Sequence, residues 1–201
     1  MIKPYFTPLI LILFLSACTA SQPKNTQNIC SIFREKDDWF DYTQSTYEKW
    51  GVPIHVQMAI IYQESQFVAD AKPPRDWLLG FIPWFRISSA YGYPQALDST
   101  WDWYLEEAGS WGADRDDFED ASDFVGWYCT ISHKKLGISK WNTRQQYLAY
   151  HEGHTGYRKQ SYLKKRWLLK VSTKVDKRAK LFNRQLKGCQ QELENSGWFF
   201  W

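Results

Sequence analysis

The chain has 201 residues, which is enough for one domain of ordinary size with additional segments and too few for several large domains. Aromatic residues make up 18% of it, including 12 Trp, and at that density they either fill a core or line a groove for flat, hydroxyl-bearing ligands such as sugars. The formal net charge of +3 conceals an asymmetry. Residues 35–123 contain 18 acidic and 6 basic residues, whereas residues 158–187 contain 12 basic residues and a single acidic one, Asp176.

The first segment of the chain has the features of an export signal. Lys3 supplies a positive charge, and residues 9–15 form an apolar run too short to be a resident membrane-spanning helix. The sequence that follows, Leu15-Ser16-Ala17-Cys18, resembles a bacterial lipobox. This resemblance implies that residues 1–17 are a lipoprotein signal peptide and that Cys18 is acylated after cleavage. The alternative is an ordinary secretory signal that contains a cysteine by chance.

Acylation of Cys18 would attach the protein to a membrane, because two or three acyl chains anchor stably where one is marginal. Thr19 rather than Asp follows the cysteine, which in Gram-negative sorting favours the outer membrane. The expected location is therefore the periplasmic face of the outer membrane. Residues 18–30 are predicted to form a lipidated tether, since residues 19–28 are polar and show no periodicity.

Three further cysteines remain, and an oxidising compartment favours one pair and one free thiol. Cys129 lies in an apolar run, where a lone cysteine behaves as a small hydrophobic residue. We expect Cys30 and Cys189 to form a disulfide that joins the start of the domain to its end, although the sequence leaves other pairings open.

The first helices are predicted at residues 39–50 and 54–67. Apolar residues recur at nearly helical spacing in the first, and almost every face of the second is apolar, which is typical of a buried helix. Glu64 lies at the C-terminal end of the second helix. The apolar surroundings and the negative end of the helix dipole both disfavour its ionisation, so we expect a raised pKa.

A carboxyl group that stays protonated near neutral pH can donate a proton to a leaving oxygen, as glycosidic cleavage requires. Glu64 is therefore a candidate catalytic acid. The alternative is a glutamate that simply reaches solvent at a helix end.

Residues 72–90 are predicted to be an insertion that forms a loop or flap, because Pro73, Pro74 and Pro83 exclude one continuous helix. Long loops inside compact domains are usually functional. Three interpretations of its aromatic and aliphatic side chains remain open: additional core, a substrate lid, or contact with a membrane.

Three more helices are predicted from apolar spacing and capping signals: one that begins near Asp98, one over residues 121–136 and one that begins near Thr143. The residues expected to begin or end them are Asp98, Gly137, Thr143 with Gln146 at the capping-box position, Gly153 and Gly156. Residues 111–123 are acidic and contain glycine, and we expect them to form a solvated connection.

The last helix is predicted over residues 161–195, where apolar residues recur at steps of three and four and would pack on the domain. Its other face is basic. That face could contact anionic lipid headgroups or the peptide carboxylates of peptidoglycan, or it could simply be solvated.

The overall pattern predicts a mainly α protein. The sequence contains no βαβ pattern, no phosphate-binding glycine loop and no paired CxxC motif, and its four histidines lack metal-ligand spacing. We therefore expect no cofactor and no metal site.

Three segments, in this order, carry a family resemblance: Glu64-Ser65-Gln66-Phe67, Gly92-Tyr93-Pro94-Gln95 and Leu148-Ala149-Tyr150-His151-Glu152-Gly153. They resemble the catalytic domain of soluble lytic transglycosylases, lysozyme-like enzymes that cut bacterial peptidoglycan. Two positions depart from the family pattern, since Pro94 replaces its usual Met and His151 its usual Asn. The resemblance covers roughly residues 50–160 and leaves the basic helix outside.

The resemblance implies a lysozyme-like helical domain over residues 31–160. It also implies cleavage between N-acetylmuramic acid and N-acetylglucosamine with a 1,6-anhydro product, and Glu64 as the single general acid and base. Implied substrate-binding residues are Ser65, Tyr93, Gln95, Tyr150 and His151. Ser65 would bond near Glu64 or the N-acetyl group, Gln95 would hold a sugar, and Tyr150 would orient Glu64 unless it is only a core aromatic.

The partners implied are peptidoglycan strands, a membrane through Cys18, and envelope assembly proteins; nucleic acid is not expected outside the cytoplasm. Two other functions remain open. One is a wall-binding lipoprotein without turnover, suggested by the altered second and third motifs. The other is a muramidase that uses Asp98, Asp102 or Glu152 as a second carboxylate.

Overall fold

The computed structural model describes residues 20–78, 82–86 and 88–196. The predicted signal peptide and the acylation site Cys18 lie outside these residues. The fold is mainly helical, as the sequence predicts. Its helices are α1 (Ile29–Glu35), α2 (Asp37–Trp50), α3 (Ile54–Ser65), α4 (Asp98–Glu107), α5 (Phe118–Leu136), α6 (Thr143–Arg158), α7 (Arg166–Leu186) and α8 (Gln190–Ser196), with a 3₁₀ turn at Ser161–Lys164.

Helix α3 is the central element, and it contacts α2, α5 and α7. Its residues from Ile54 to Ile61 are all buried, which agrees with the apolar surface predicted on nearly every face. The helix ends at Ser65, two residues earlier than predicted, because Gln66 and Phe67 both adopt left-handed conformations with φ of 53° and 67°. This turn brings Phe67 into the core, where it is fully buried.

Helix α5 begins at Phe118, three residues before the predicted start. The Asp117 carboxylate accepts hydrogen bonds from the backbone N–H groups of Glu119 and Asp120, which satisfies two donors at the helix start. The Phe118 ring stacks on that of Trp39 in α2, with centroids 3.6 Å apart. The acidic residues 111–123, which were predicted to form a connection, therefore include the cap of α5 and a core residue.

Two predicted caps are wrong. Asp98 is the first residue of α4, after Leu97, and its carboxylate accepts a hydrogen bond from Arg115 at 2.8 Å. Asn142 rather than Thr143 caps α6. Gln146 does not complete a capping box, because its side chain is buried and donates to backbone carbonyls that include that of Cys129. The side chains of Asp98 and Gln146 thus make contacts with distant parts of the chain and do not cap their own helices.

The predicted flap contains a β-hairpin. Strand β1 (Arg75–Leu78) pairs antiparallel with β2 (Ile82–Arg86). Proline is compatible with a two-stranded hairpin, because both strands are edges and one side of each needs no N–H donor. The side chains of residues 75–87 lie outside the description, so the three interpretations of this segment stay predictions.

The predicted C-terminal helix is divided into the 3₁₀ turn, α7 and α8. Helix α7 packs against α3 and α6, and its buried stripe includes Leu168, Val175 and Phe182. After α7 the chain turns through Gly188, whose N–H donates to the carbonyl of Gln185. Cys189 follows and forms a disulfide with Cys30 of α1, the pair favoured by the sequence. Among the described helices, none is long and apolar enough to cross a membrane.

Candidate active site

A cleft of about 380 Å³ opens beside the C-terminal end of α3. It is bordered by α3, α5, α6 and the segment that leads into α4. The residues that line it are Glu64, Ser88, Gln95, Ala96, Leu97, Thr100, Phe124, Tyr128, Tyr150, His151, Glu152 and Gly153. Carboxyl, amide, hydroxyl and aromatic groups thus face one cavity, as expected for a site that binds a polar ligand with flat apolar faces.

Glu64 presents its carboxyl group to this cleft from the last turn of α3. Burial raises its pKa to about 7, and a hydrogen bond from the hydroxyl of Tyr147 acts in the opposite direction. Within the described residues, Oε1 of Glu64 is buried and has no hydrogen-bond partner. A carboxyl group in this state is partly protonated near neutral pH and can donate its proton to a ligand in the cleft.

Tyr147 was not among the predicted site residues, yet its hydroxyl is the one that hydrogen-bonds Glu64. Tyr150, which was expected to orient Glu64, donates instead to the carbonyl of Pro94 at 2.6 Å. It still lines the cleft, and burial together with the charge of Glu64 raises the pKa of its hydroxyl well above the ordinary value. Tyr147 lies three residues before Tyr150 and so on the same helix face, which is the signal that could have identified it.

The turn that contains Gln95 packs closely against the backbone at Arg115. Gly92 has a φ of 76°, and a Cβ there would lie 2.0 Å from the carbonyl oxygen of Arg115, so only glycine fits. Nε2 of Gln95 donates to the carbonyls of Ala71 and Gly92, both at 2.8 Å. Because both bonds use Nε2, Oε1 is the end of the amide that can accept a hydrogen bond from a ligand.

Two predicted substrate-binding residues do not reach the cleft. Tyr93 is buried in the core, where its ring packs edge-on against those of Trp39 and Phe118. Ser65 is also buried, and its Oγ donates to the carbonyl of Ile61 and accepts from the N–H of Phe67. Both residues shape the turns beside the site and are not available to a sugar.

Pro94 replaces the Met of the family pattern, but its side chain is buried and is not part of the cleft lining. Its carbonyl accepts the hydrogen bond from the Tyr150 hydroxyl. His151 does line the cleft. Its Nδ1 lies 3.2 Å from the carboxylate of Glu152, and its ring lies edge-on to that of Trp167 in α7, with centroids 5.1 Å apart.

Glu152 is the one of the three proposed second carboxylates that lines the cleft. Burial acts to raise its pKa, but hydrogen bonds from Lys165, Ser161 and His151 lower it below the ordinary value. The Lys165 ammonium lies 2.6 Å from the carboxylate. Glu152 is therefore an ionised group with its charge compensated, whereas Asp98 and Asp102 are exposed residues outside the lining.

Phe124 and Tyr128 of α5 also line the cleft, although neither was predicted to be a site residue. The ring of Tyr128 lies 5.1 Å from that of Tyr150 and stacks on His154. The spacing of apolar residues does not distinguish a core residue from one that lines a cleft, because one face of each of these rings packs against the core.

In residues 20–78, 82–86 and 88–196, no group of three His, Cys, Asp or Glu side chains could hold a metal ion.

Comparison with known proteins gives a family match over nearly the whole chain. A family model described as "Transglycosylase SLT domain" matches residues 6–189. The match extends beyond the predicted residues 50–160 and includes α7, so the basic helix is part of the family domain. A search of curated proteins and a search of solved structures each found no match. With Glu64 facing a cleft in a helical domain of the lysozyme-like superfamily, this match shows that the chain belongs to the transglycosylase SLT domain family.

Proposed function

We propose that the protein is a peptidoglycan lytic transglycosylase in which Glu64 is the single general acid and base. Membership of the family supports an activity of transglycosylase type on peptidoglycan. The observation that carries the specific reaction is the state of Glu64, a buried carboxyl group with a pKa of about 7 and an unpartnered oxygen in a cleft.

In the proposed reaction, protonated Glu64 donates its proton to the glycosidic oxygen between N-acetylmuramic acid and N-acetylglucosamine as the bond to C1 breaks. The resulting carboxylate then takes the proton of the C6 hydroxyl of the same muramoyl residue, and O6 forms a new bond to C1. No water is consumed, and the acid is restored. Because the nucleophile belongs to the substrate, the site needs no second carboxylate to activate water.

The surrounding residues have supporting roles in this proposal. Tyr147 holds the Glu64 carboxyl by its hydrogen bond, and Oε1 of Gln95 accepts a hydrogen bond from a sugar. The rings of Phe124, Tyr128 and Tyr150 offer apolar surface to sugar faces.

A muramidase is the second candidate, because Glu152 is an ionised carboxylate in the same cleft. Its ion pair with Lys165 makes it a poor base, since the ammonium stabilises the charged form. This favours the single-carboxyl mechanism over hydrolysis.

We also propose that Cys18 is acylated and that the protein acts from the periplasmic face of the outer membrane, where envelope assembly proteins would be its neighbours. This part of the proposal rests on the lipobox and on Thr19. Metabolic labelling with a palmitate analogue would test it, with Cys18→Ala as the control. Labelling that persists in the variant would contradict acylation at this residue.

The deciding experiment is mass spectrometry of soluble fragments released from purified sacculi. Products one water lighter than reducing muropeptides are expected for the wild-type chain. Glu64→Gln should lower their release at least about 100-fold, because general acid–base catalysis contributes factors of that order. Glu152→Gln is the matched control and should retain turnover.

Other results would select the alternatives. Reducing products that depend on both Glu64 and Glu152 would identify a muramidase. Binding to sacculi without soluble products would identify a wall-binding lipoprotein.

A further inference from the structure

A second groove, of about 440 Å³, lies between α3 and α7, outside the cleft. Helix α3 contributes Ala59, Tyr62 and Gln63, the turn after it contributes Gln66, and helix α7 contributes Lys174, Val175, Lys177, Arg178 and Leu181. Three of these nine residues are cationic and none is acidic. The groove is therefore suited to an anionic ligand.

Arg178 forms part of the wall of this groove. Its guanidinium lies 3.5 Å from the centroid of the Tyr62 ring and donates to Oε1 of Gln27 at 3.1 Å. Lys174 and Lys177 are different, because both are exposed and neither has an ion-pair partner in the part of the chain that the structure describes. Their charges are free to interact with a ligand.

The segment that precedes α1 runs along the same groove. Nε2 of Gln22 donates to the carbonyl of Gln66 at 2.8 Å, and Nε2 of Gln27 donates to the Tyr62 hydroxyl at 3.0 Å. Pro23 between them is buried. The described part of the predicted tether is thus docked on the domain, and Gln22 lies beside the groove residue Gln66.

This docking places the predicted anchor close to the cationic groove. Cys18 precedes Gln22 by four residues, so their Cα atoms can be at most about 14 Å apart. An acyl chain at Cys18 would hold this face of the protein against the membrane surface. We propose that the groove formed by α3 and α7 binds the anionic headgroups of phospholipids beside the anchor and so orients the domain on the membrane. The inference rests on the proposed acylation of Cys18.

The orientation has a consequence for the catalytic cleft. Gln63 lines the groove and Glu64 lines the cleft, and consecutive helix residues point about 100° apart. With the groove on the membrane, the cleft opens on another side and is accessible to glycan strands.

The test uses the chain without residues 1–18, because every described helix and the disulfide lie after residue 19. Sedimentation with vesicles of phosphatidylcholine and phosphatidylglycerol should show salt-sensitive binding that pure phosphatidylcholine vesicles do not give. Lys174→Glu combined with Lys177→Glu should weaken it about tenfold or more. The matched control is Lys134→Glu with Lys159→Glu, which changes the net charge equally at exposed positions outside the groove.

Three results would overturn the proposal: no preference for anionic vesicles, an equal loss in both double variants, or loss of binding to sacculi with vesicle binding retained. The last would assign the groove to peptide carboxylates of the wall. Lys174→Gln with Lys177→Gln should give an intermediate loss, and melting temperatures equal to that of the wild-type chain show that the groove variants fold. Because vesicle binding is measured without turnover, failure here would be distinct from failure of the proposed reaction.

Discussion

Single residues set the proton affinity of Glu64. Burial raises its pKa to about 7, and the hydrogen bond from Tyr147 stabilises the charged form and opposes that rise. Tyr150 lies near the same carboxyl group, but its hydroxyl donates to the carbonyl of Pro94. The two hydroxyls therefore have different effects, which mutation can separate.

Tyr147→Phe is expected to raise the pKa of Glu64 further, because it removes a hydrogen bond to the carboxylate. Activity that requires protonated Glu64 falls as pH rises through this pKa, so the descending limb of the pH–rate profile should move to higher pH by about one unit. Tyr150→Phe is the matched control and should leave the position of that limb unchanged. A shift in the control alone would mean that the hydroxyls have the reverse roles.

The raised pKa of Glu64 also carries a cost in stability. Below pH 4.5 the group is protonated in both the folded and the unfolded chain; between pH 4.5 and about 7 the unfolded chain loses the proton while the folded chain keeps it. The free energy of unfolding therefore falls as pH rises through this window, by up to about 3 kcal/mol. Glu64→Gln should remove this fall, so urea unfolding should show the variant more stable than wild type at pH 8 and equal to it at pH 4. Equal stability at both pH values would contradict the burial of this carboxyl group.

At the scale of elements, α6 is interrupted at Gly153, and three residues at this break line the cleft: His151, Glu152 and Gly153. Gly153 has φ 70° and ψ 161°, a conformation almost restricted to glycine, and it interrupts the helix directly after His151 and Glu152. A Cβ at this position would meet nothing within 4 Å. The need for glycine therefore comes from the backbone rather than from lack of space.

Gly153→Ala is expected to lower the free energy of unfolding by about 2 to 3 kcal/mol, since alanine strongly disfavours this conformation. Gly137→Ala is the comparison, because Gly137 ends α5 in the ordinary left-handed conformation, with φ 70° and ψ 13° and open space around it. Its cost should be about 1 kcal/mol. Urea denaturation of the two variants measures the difference, and equal costs would show that α6 can straighten at Gly153.

At the scale of the whole molecule, the disulfide between Cys30 and Cys189 joins α1 to the turn between α7 and α8 across 159 positions of the chain. A link that closes so long a loop restricts the unfolded chain more than the folded one. It also keeps α7, which packs on α3, attached to the first helix of the domain.

Replacing both cysteines with alanine should lower the free energy of unfolding by about 2 to 5 kcal/mol. A reductant should destabilise the wild-type chain by a similar amount and leave the double variant unchanged, since the one other cysteine in the described residues, Cys129, is a buried free thiol. Thermal unfolding with and without dithiothreitol provides the measurement. A reductant effect that persists in the variant would point to a different pairing.

By itself, the sequence determined the features that depend on local patterns. Residues 54–61 are apolar on nearly every face, which predicted a buried helix, and the position of Glu64 at its end was enough to predict a raised pKa. The order of the three motifs was enough to suggest the family. Apolar spacing likewise predicted that the C-terminal part of the chain packs on the domain, and Leu168, Val175 and Phe182 are buried there.

Only the tertiary structure decided which neighbouring side chains share the cleft. Tyr147 rather than Tyr150 hydrogen-bonds Glu64 because of how α6 packs beside the end of α3. Tyr93 belongs to the core because Trp39 of α2 and Phe118 of α5 pack against its ring. Residues in adjacent turns of one helix have nearly the same sequence signal, and the packing of other elements against them separates catalytic, structural and ligand-facing roles.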